Sequence, residues 1–387
     1  MVYGVAGSVK PLQLRLPNGT VPLGFVQDAS VVYLVARSRS AQWPAEILRD
    51  GRAELVLTDR SEVGTPELVT IPDERARILE LFRAKYGGDL FARWYERPAR
   101  VLRVRLRTDS AAPGAAPDAY YDWLRAEFDN VADDYDRHIT GNRINLLLRN
   151  RSLSMLTRWF ATAHRILEIG CGSGMETLPL LEQGHEVVAV DISARMLETV
   201  RRKAEHAGVS ERLTTRELAA RDLEELADDG EEGSFDGAFS TFGALNCEPD
   251  LSRLSTSLFR LLRPGTPFLA GVFNRWCLFE MAGYSLTLRP RRMLGRQRNP
   301  VRVGSSRFCV DVYSHSVRDV IRLFRPGFRA ERIEGVPVLL PPSDLVAYAD
   351  RFDRRFEQLA AWDARVGAHW PFSWLGDHFL VLFMRES

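Results

Sequence analysis

Cysteine is scarce, with four in 387 residues: Cys171, Cys247, Cys277 and Cys309. None forms a CxxC pair, so neither zinc-ligand spacing nor a disulfide framework is present; no metal is expected, and a reducing cytoplasm is the expected setting. Long apolar runs are missing as well. Nothing reaches the roughly 18 consecutive apolar residues of a membrane span, and the opening MVYGVAGSVKPLQLRL has no apolar signal core ahead of a small-residue cleavage site. No export or spanning segment is expected. An excess of one charge is also absent, the net charge being +1; this removes a global drive toward nucleic acid, and no nucleic-acid partner is expected. Lysine occurs only as Lys10, Lys85 and Lys203 against abundant arginine, a bias of base composition rather than of function.

What is present is an ordinary globular composition, 45% hydrophobic and 27% charged, over a length that one hydrophobic core seldom serves. Two domains are therefore expected. The stretch TDSAAPGAAPDA, Thr108 to Ala119, is small and Pro-rich without apolar periodicity, which predicts a domain over 1–108, a linker over 109–119 and a second domain over 120–387. The first half reads as β-rich: LQLRL, a hairpin signal at Asn18-Gly19, then PLGFV, SVVYLVA, RAELVL and, last, RVLRVRL. Between the last two, a helix opens at Pro72, carries Ile78, Leu81, Phe82 and Tyr86 on one stripe, and stops at Gly87-Gly88. After the linker, strands at RILEIG, EVVAVD, RLTTREL, FDGAFSTF, PFLAGVF, RAERIEG and HFLVLFMR alternate with helices such as Ala194 to Gly208 and Leu251 to Leu262. That alternation predicts an α/β fold with a mostly parallel sheet covered on both faces.

The chemistry concentrates at RILEIGCGSGM, Arg165 to Met175, where a buried strand runs into Gly170, Gly172 and Gly174 and a helix begins near Glu176. Glycines let backbone turn tightly and approach a ligand, and the helix start offers unpaired N–H groups to an anion. A dinucleotide and S-adenosylmethionine both suit such a loop. The dinucleotide pattern GxGxxG, however, requires glycine where this chain has Met175. Glu168 stands two residues before the first glycine and opens the stretch, running to Asp222, that is expected to hold the cofactor. The second strand ends in Asp191, whose carboxylate oxygens can accept from both ribose hydroxyls. Asp222 follows the next strand and can accept from an adenine amino group, with Ile192 and Leu223 as apolar neighbours of the ring.

EIGCGSG (Glu168 to Gly174), VVAVDISARML (Val187 to Leu197) and LLRPGTPFLAGVF (Leu261 to Phe273) together resemble the class I, Rossmann-like S-adenosylmethionine-dependent methyltransferases over residues 120 to 387. The resemblance implies a seven-stranded sheet with its last strand antiparallel and S-adenosylmethionine across the strand ends. Gly170 to Gly174, Cys171 included, would contact the methionine part, Asp191 the ribose, Asp222 the adenine, and Met196 would flank the base. Tyr135, in FDNVADDYD, matches the aromatic that covers the methionine end. Cys171 is read as a small structural residue, since no basic partner is near it in sequence.

VVYLVARSRSAQWPAEILRDGRAELVL (Val31 to Leu57), ARILELFRAKYG and FARWYERPARVLRVRL resemble the split-barrel, pyridoxamine phosphate oxidase-like family over Leu14 to Arg107. This implies a barrel-like sheet, a flavin or deazaflavin held through Arg37, Ser38, Arg39 and Ser40, and pairing of two copies as a homodimer. The same four residues also read as a solvated turn, and a structural or dimer-forming role is favoured over a redox one. Trp43, Trp94 and Tyr95 read as core or interface aromatics.

Thr241 and Phe242, after the fourth strand of the second domain, are expected to touch the cofactor near its methyl, and this strand end, with Asn246 and Cys247, is expected to border the acceptor. Asn246 reads equally as a cap for the helix near Asp250. His315 is a candidate base or a surface residue at a helix start. An insertion over 274–320 is expected to cover the acceptor; its apolar part includes Trp276 and Tyr284, and its basic part Arg289, Arg291, Arg292, Arg296 and Arg298. Three readings stand for it: a pocket wall for a small-molecule, lipophilic acceptor; a peripheral membrane-surface contact; or a helix on the core with a solvated basic loop. Two alternatives of another class remain, an oxidoreductase with a regulatory S-adenosylmethionine domain and a scaffold with both sites degenerate.

Overall fold

A computed structural model of the chain describes residues 11–17, 19–28, 31–38, 41–57, 60–95, 100–106, 117–286, 293–297, 300–304, 309–346 and 355–387. The chain divides into two compact units, residues 1–127 with 304–310, and residues 128–303 with 311–387. The division falls inside the helix Pro117–Asp129, past the linker read from composition, most of which lies outside the described residues. Among the described residues no helix is long and apolar enough to cross a membrane.

The first unit is built on β1 (Leu12–Leu16), β2 (Gly19–Leu23), β3 (Phe25–Asp28), β4 (Val31–Ala36), β5 (Ala53–Leu57), β6 (Arg60–Leu68) and β7 (Arg100–Leu106). They form one antiparallel seven-stranded sheet in the order β2-β1-β5-β6-β7-β4-β3. Leu16 pairs with Gly19 where the Asn18-Gly19 signal predicts a hairpin. Alternation drives the burial: Leu12 and Leu14 of β1, and Val32 and Leu34 of β4, are interior. The helix Pro72–Tyr86 begins at its proline and ends at Gly87, φ 79°, burying Ile78 and Phe82 against Val101 and Tyr95. Trp43 and Tyr95 are core residues; the side chain of Trp94, with Arg39 and Ser40, lies outside the described residues. A buried ion pair, Arg100 to Glu127 at 2.9 Å, ties the helix Pro117–Asp129 to β7.

The second unit holds β8 (Arg165–Ile169), β9 (Glu186–Asp191), β10 (Leu213–Glu217), β11 (Gly237–Ser240), β12 (Pro267–Phe273), β15 (Phe328–Val336) and β16 (His378–Arg385), while the ribbon of β13 (Val301–Gly304) with β14 (Cys309–Val312) includes residues of 304–310 that group with the first unit. The main sheet has seven strands in the order β10-β9-β8-β11-β12-β16-β15, and only β16 runs antiparallel to its neighbours. This is the methyltransferase-like α/β sheet the resemblance implies. Successive residues of each strand serve opposite faces. Leu167, Val188, Val190, Phe268 and Val381 enter one core, whereas Ile166, Val187, Ala189, Leu269 and Leu382 enter the other. The chain leaves β8 toward β9 on one side and returns to β11 on the other, so the sheet has its switch point at the C-terminal end of β8, where open α/β sheets bind ligands.

Candidate functional site

The loop after β8 lies at that switch point. Gly170, Gly172 and Gly174 have φ of 73°, 52° and 79°, a left-handed region costly for other residues. A Cβ on Gly170 would fall 2.1 Å from that of Ala244, and one on Gly174 would come within 3.0 Å of Val200. The third glycine is therefore demanded at 174. The edge of the Tyr135 ring is 3.6 Å from the Cβ position of Gly172, which puts this residue against the loop, within electrostatic reach of Arg149 and Asp191.

Asp191 ends β9 and faces the same loop. Its Oδ2 accepts from the Gly172 N–H at 2.8 Å and its Oδ1 from the Ser193 N–H at 2.9 Å. Burial lifts this carboxyl to about 6, against the opposing pull of those two N–H groups. Ser193 caps the helix Ala194–Ala207 by accepting from the Met196 N–H, and its hydroxyl donates to Asp129 at 2.5 Å. Glu168 is turned inward: its Oε2 accepts from the Thr177 hydroxyl at 2.5 Å, and burial pushes its carboxyl well above the usual carboxylate range.

An ion pair that sequence reading missed sits beside the loop. Arg149, on the helix Arg143–Trp159, bonds Glu176, and its guanidinium lies 5.5 Å from the centre of the Phe242 ring. Ser152, three residues on, also reaches Glu176 at 3.4 Å. The available signal was weak: a charged residue next to the buried stripe Ile144, Leu148, Ser152 and Met155.

The adenine-side residues divide. Asp222 is half-buried in a short turn and pairs with Arg221 at 3.1 Å. All three apolar neighbours are buried, Ile192 at 9% exposure and Leu223 and Met196 at 0%. Leu223 packs in the core with Leu226 and Ala227.

On the acceptor side, Thr241 and Phe242 follow β11. Phe242 is the one non-glycine residue with positive φ among those described, at 54°, and its ring faces His378 with centroids 6.0 Å apart. Asn246 neither caps a helix nor presents an open amide. It is fully buried: Nδ2 donates to the carbonyls of Tyr313 at 2.6 Å and Phe273 at 3.3 Å, and Oδ1 accepts from the Phe273 N–H at 2.8 Å. The helix near Asp250 is instead entered through the Asp250 carboxylate, which accepts from Ser252 N–H at 2.9 Å. Cys247 is buried and pushed up to about 12, and Cys171 is raised well above the thiol range, both first by burial. Neither is a nucleophile at neutral pH.

His315 is not a surface residue. Its Nε2 is buried with no hydrogen-bond partner among the described residues, and burial followed by the charge of Arg275 lowers it to about 4. In the insertion, Trp276 is 39% exposed and Tyr284 half-buried. Arg296 departs from the basic-loop reading. It is buried, bonding Asp377 at 2.5 Å and Glu280 at 2.7 Å. Those acids, lying close to Cys277, are thus met by a guanidinium rather than by solvent. Arg289, Arg291, Arg292 and Arg298 lie outside the described residues.

Residues 166–265, which contain this loop, match a family model described as a methyltransferase domain. Among curated proteins, the chain is similar to the tRNA 5-carboxymethoxyuridine methyltransferase of Escherichia coli K12, 31% identical over 100 residues, 25% of this chain and 38% of the relative. It is also similar to the demethylmenaquinone methyltransferase of Beutenbergia cavernae, 31% identical over 160 residues, 40% of this chain and 60% of the relative. The chain thus spans between 38% and 60% of the length of these two relatives. Among solved structures, Burkholderia thailandensis 1,6-didemethyltoxoflavin-N1-methyltransferase, with 1,6-didemethyltoxoflavin and S-adenosylhomocysteine bound, superposes with a TM-score of 0.43 at 20% identity, over 73% of this chain and 95% of that one.

Proposed function

We propose that this protein transfers a methyl group from S-adenosylmethionine to a small-molecule acceptor. The observation that carries the reading is the union of Asp191 with the glycine loop at the sheet's switch point, inside the segment that matches a methyltransferase domain. Asp191 would hold the ribose hydroxyls, the backbone of Gly170 to Gly174 the methionine part, and Tyr135 would cover it. Asp222 would accept from the adenine amino group, with Ile192 beside the ring. Bound S-adenosylmethionine supplies a methyl on a sulfonium whose leaving group departs neutral, so alignment and exclusion of water are what the chain must provide. Calorimetric titration with S-adenosylhomocysteine tests donor binding, and mass spectrometry of cell extracts incubated with labelled donor identifies the acceptor. Lack of donor binding removes the proposal.

Exposure of Trp276 at 39% and Leu286 at 86% supports a lipophilic acceptor approached through the insertion. Liposome co-sedimentation at low and moderate salt tests whether a membrane surface takes part. The front unit we read as a split-barrel-like module that pairs two copies, a reading supported by its seven-stranded antiparallel sheet. Sedimentation equilibrium tests the pairing, and the visible spectrum of the purified protein tests for flavin.

A further inference from the structure

The sheet edge that carries the glycine loop also carries a polar pair the donor site leaves unused. β16 runs antiparallel to β12, with His378 directly opposite Phe273. His378 therefore opens its strand at the edge where β8, β11 and β12 end. Its imidazole stands between two aromatic rings in near-perpendicular contact, Phe242 at 6.0 Å and 71° and Phe273 at 5.4 Å and 67°. Phe242 in turn lies under Arg149, beside the loop.

Asp377 is 1% exposed and both its oxygens are engaged. Oδ2 is 3.0 Å from Nδ1 of His378, and Oδ1 accepts from Arg296 at 2.5 Å. Arg296 also donates to the backbone carbonyls of Asn274 at 3.1 Å and Asp377 at 3.0 Å, which fixes the carboxylate in place. The Arg296 charge holds Asp377 down at about 2 against burial, so it is an anion at any physiological pH. An anionic acceptor at Nδ1 selects the tautomer with its proton there and leaves Nε2 as the proton acceptor. Packing between two phenylalanines needs none of this. An apolar residue would fill the gap, whereas the imidazole brings a buried carboxylate and a buried guanidinium, groups whose desolvation is costly.

We propose that His378 is the general base for methyl transfer to a hydroxyl on an aromatic or similarly flat acceptor, with Asp377 as its positioning residue; this rests on the methyltransferase reading above. In the step, the acceptor O–H proton passes to Nε2 of His378 while an oxygen lone pair forms the O–C bond to the methyl. The C–S bond breaks with its electron pair retained by sulfur. The products are a methyl ether, a neutral thioether and an imidazolium facing the Asp377 carboxylate, which then returns its proton to solvent. Phe242 and Phe273 would form the apolar walls that hold the ring of the acceptor.

The test uses the full chain saturated with S-adenosylhomocysteine and 4-nitrophenol as the probe, at a pH below the probe's own pKa, where its phenolate band is weak in solution. Binding to the wild type should raise the phenolate band. His378→Gln and His378→Phe should still bind S-adenosylhomocysteine by calorimetry, yet lower the bound phenolate fraction at least tenfold; Asp377→Asn should lower it less. A wild type that takes no S-adenosylhomocysteine defeats the methyltransferase reading itself. One that takes it but leaves the probe unbound or neutral, or a His378→Gln variant with an unchanged phenolate fraction, overturns the assignment of His378 alone. A shift in melting temperature with the phenolate band unmoved counts as the same negative result, because it is what a merely structural histidine would give.

Discussion

The Oδ2 oxygen of Asp191 accepts from the backbone N–H of Gly172 at 2.8 Å, so the acid that ends β9 and the loop that ends β8 form one unit. If that carboxylate holds the ribose, Asp191→Asn should weaken S-adenosylmethionine binding by about 100-fold, the scale of lost charge-assisted hydrogen bonds. Burial lifts Asp191 to about 6 from 3.8, and only the ionised form accepts fully. Donor affinity should therefore rise between pH 5 and 7 in the wild type and lose that slope in the variant, as calorimetry across this range will show. The sign for the free protein is opposite. The native state holds this proton more tightly than the unfolded chain, so stability present below about pH 4 is lost as pH rises through 6, on the order of 3 kcal/mol. Asp191→Asn should remove that loss in urea titrations.

Arg149 and Glu176 are both largely withdrawn from water, with side chains 11% and 2% exposed. Removing one partner leaves the other desolvated and uncompensated, which costs about 3–5 kcal/mol. Arg149→Met should show that loss in urea unfolding, and Arg149→Met/Glu176→Gln should recover part of it. An additive double variant would mean that the two charges are not coupled.

How far the sequence could be read follows from how local each signal was. The strands of the second unit were legible because a mostly parallel sheet covered on both faces demands nearly continuous apolar runs, as in EVVAVD and in the antiparallel but equally covered HFLVLFMR. Gly170, Gly172 and Gly174 were legible because positive φ and near-contact with Ala244 and Val200 leave few alternatives to glycine. Pairs made by tertiary folding were not. Arg149 meets Glu176 across 27 positions and Arg296 meets Asp377 across 81, and no periodicity encodes such meetings. Arg296 shows the error this invites: a basic run describes an average, whereas the acids that bury one member of it come from elsewhere. Asn246 was misread for a related reason, since a helix-cap pattern looks only forward along the chain while its partners are Phe273 and Tyr313.

Cys171, Cys247 and Cys277 are buried, and burial pushes the latter two up to about 12. As thiols without thiolate character they should resist alkylation. Iodoacetamide at pH 8 should leave all three unlabelled in the native protein and label them in urea, read by peptide mass spectrometry. Labelling of native Cys171 would mean that the glycine loop opens to solvent.

The carboxylate of Asp363, on the helix Phe356–Gly367, collects three consecutive backbone N–H groups, with Oδ1 accepting from Val338 at 3.0 Å, Leu339 at 2.5 Å and Leu340 at 3.1 Å. The clamp fixes the turn after β15, and that turn supplies the Pro337 carbonyl that accepts from the Asp377 N–H at 2.7 Å. Asp363→Ala strands three donors, two of them on buried residues, and each buried donor without a partner costs about 1–3 kcal/mol. The expected loss is on the order of 3 kcal/mol, measured by urea unfolding. Asp363→Asn keeps one acceptor oxygen in the same place, so it should lose less than half as much. Because the turn bears on Asp377 and not on the glycine loop, Asp363→Asn should leave S-adenosylhomocysteine affinity within about twofold of wild type, a difference below 0.5 kcal/mol. A large fall in that affinity would mean the two ends of the sheet edge are coupled, and that the donor and acceptor sides do not act as separate supports.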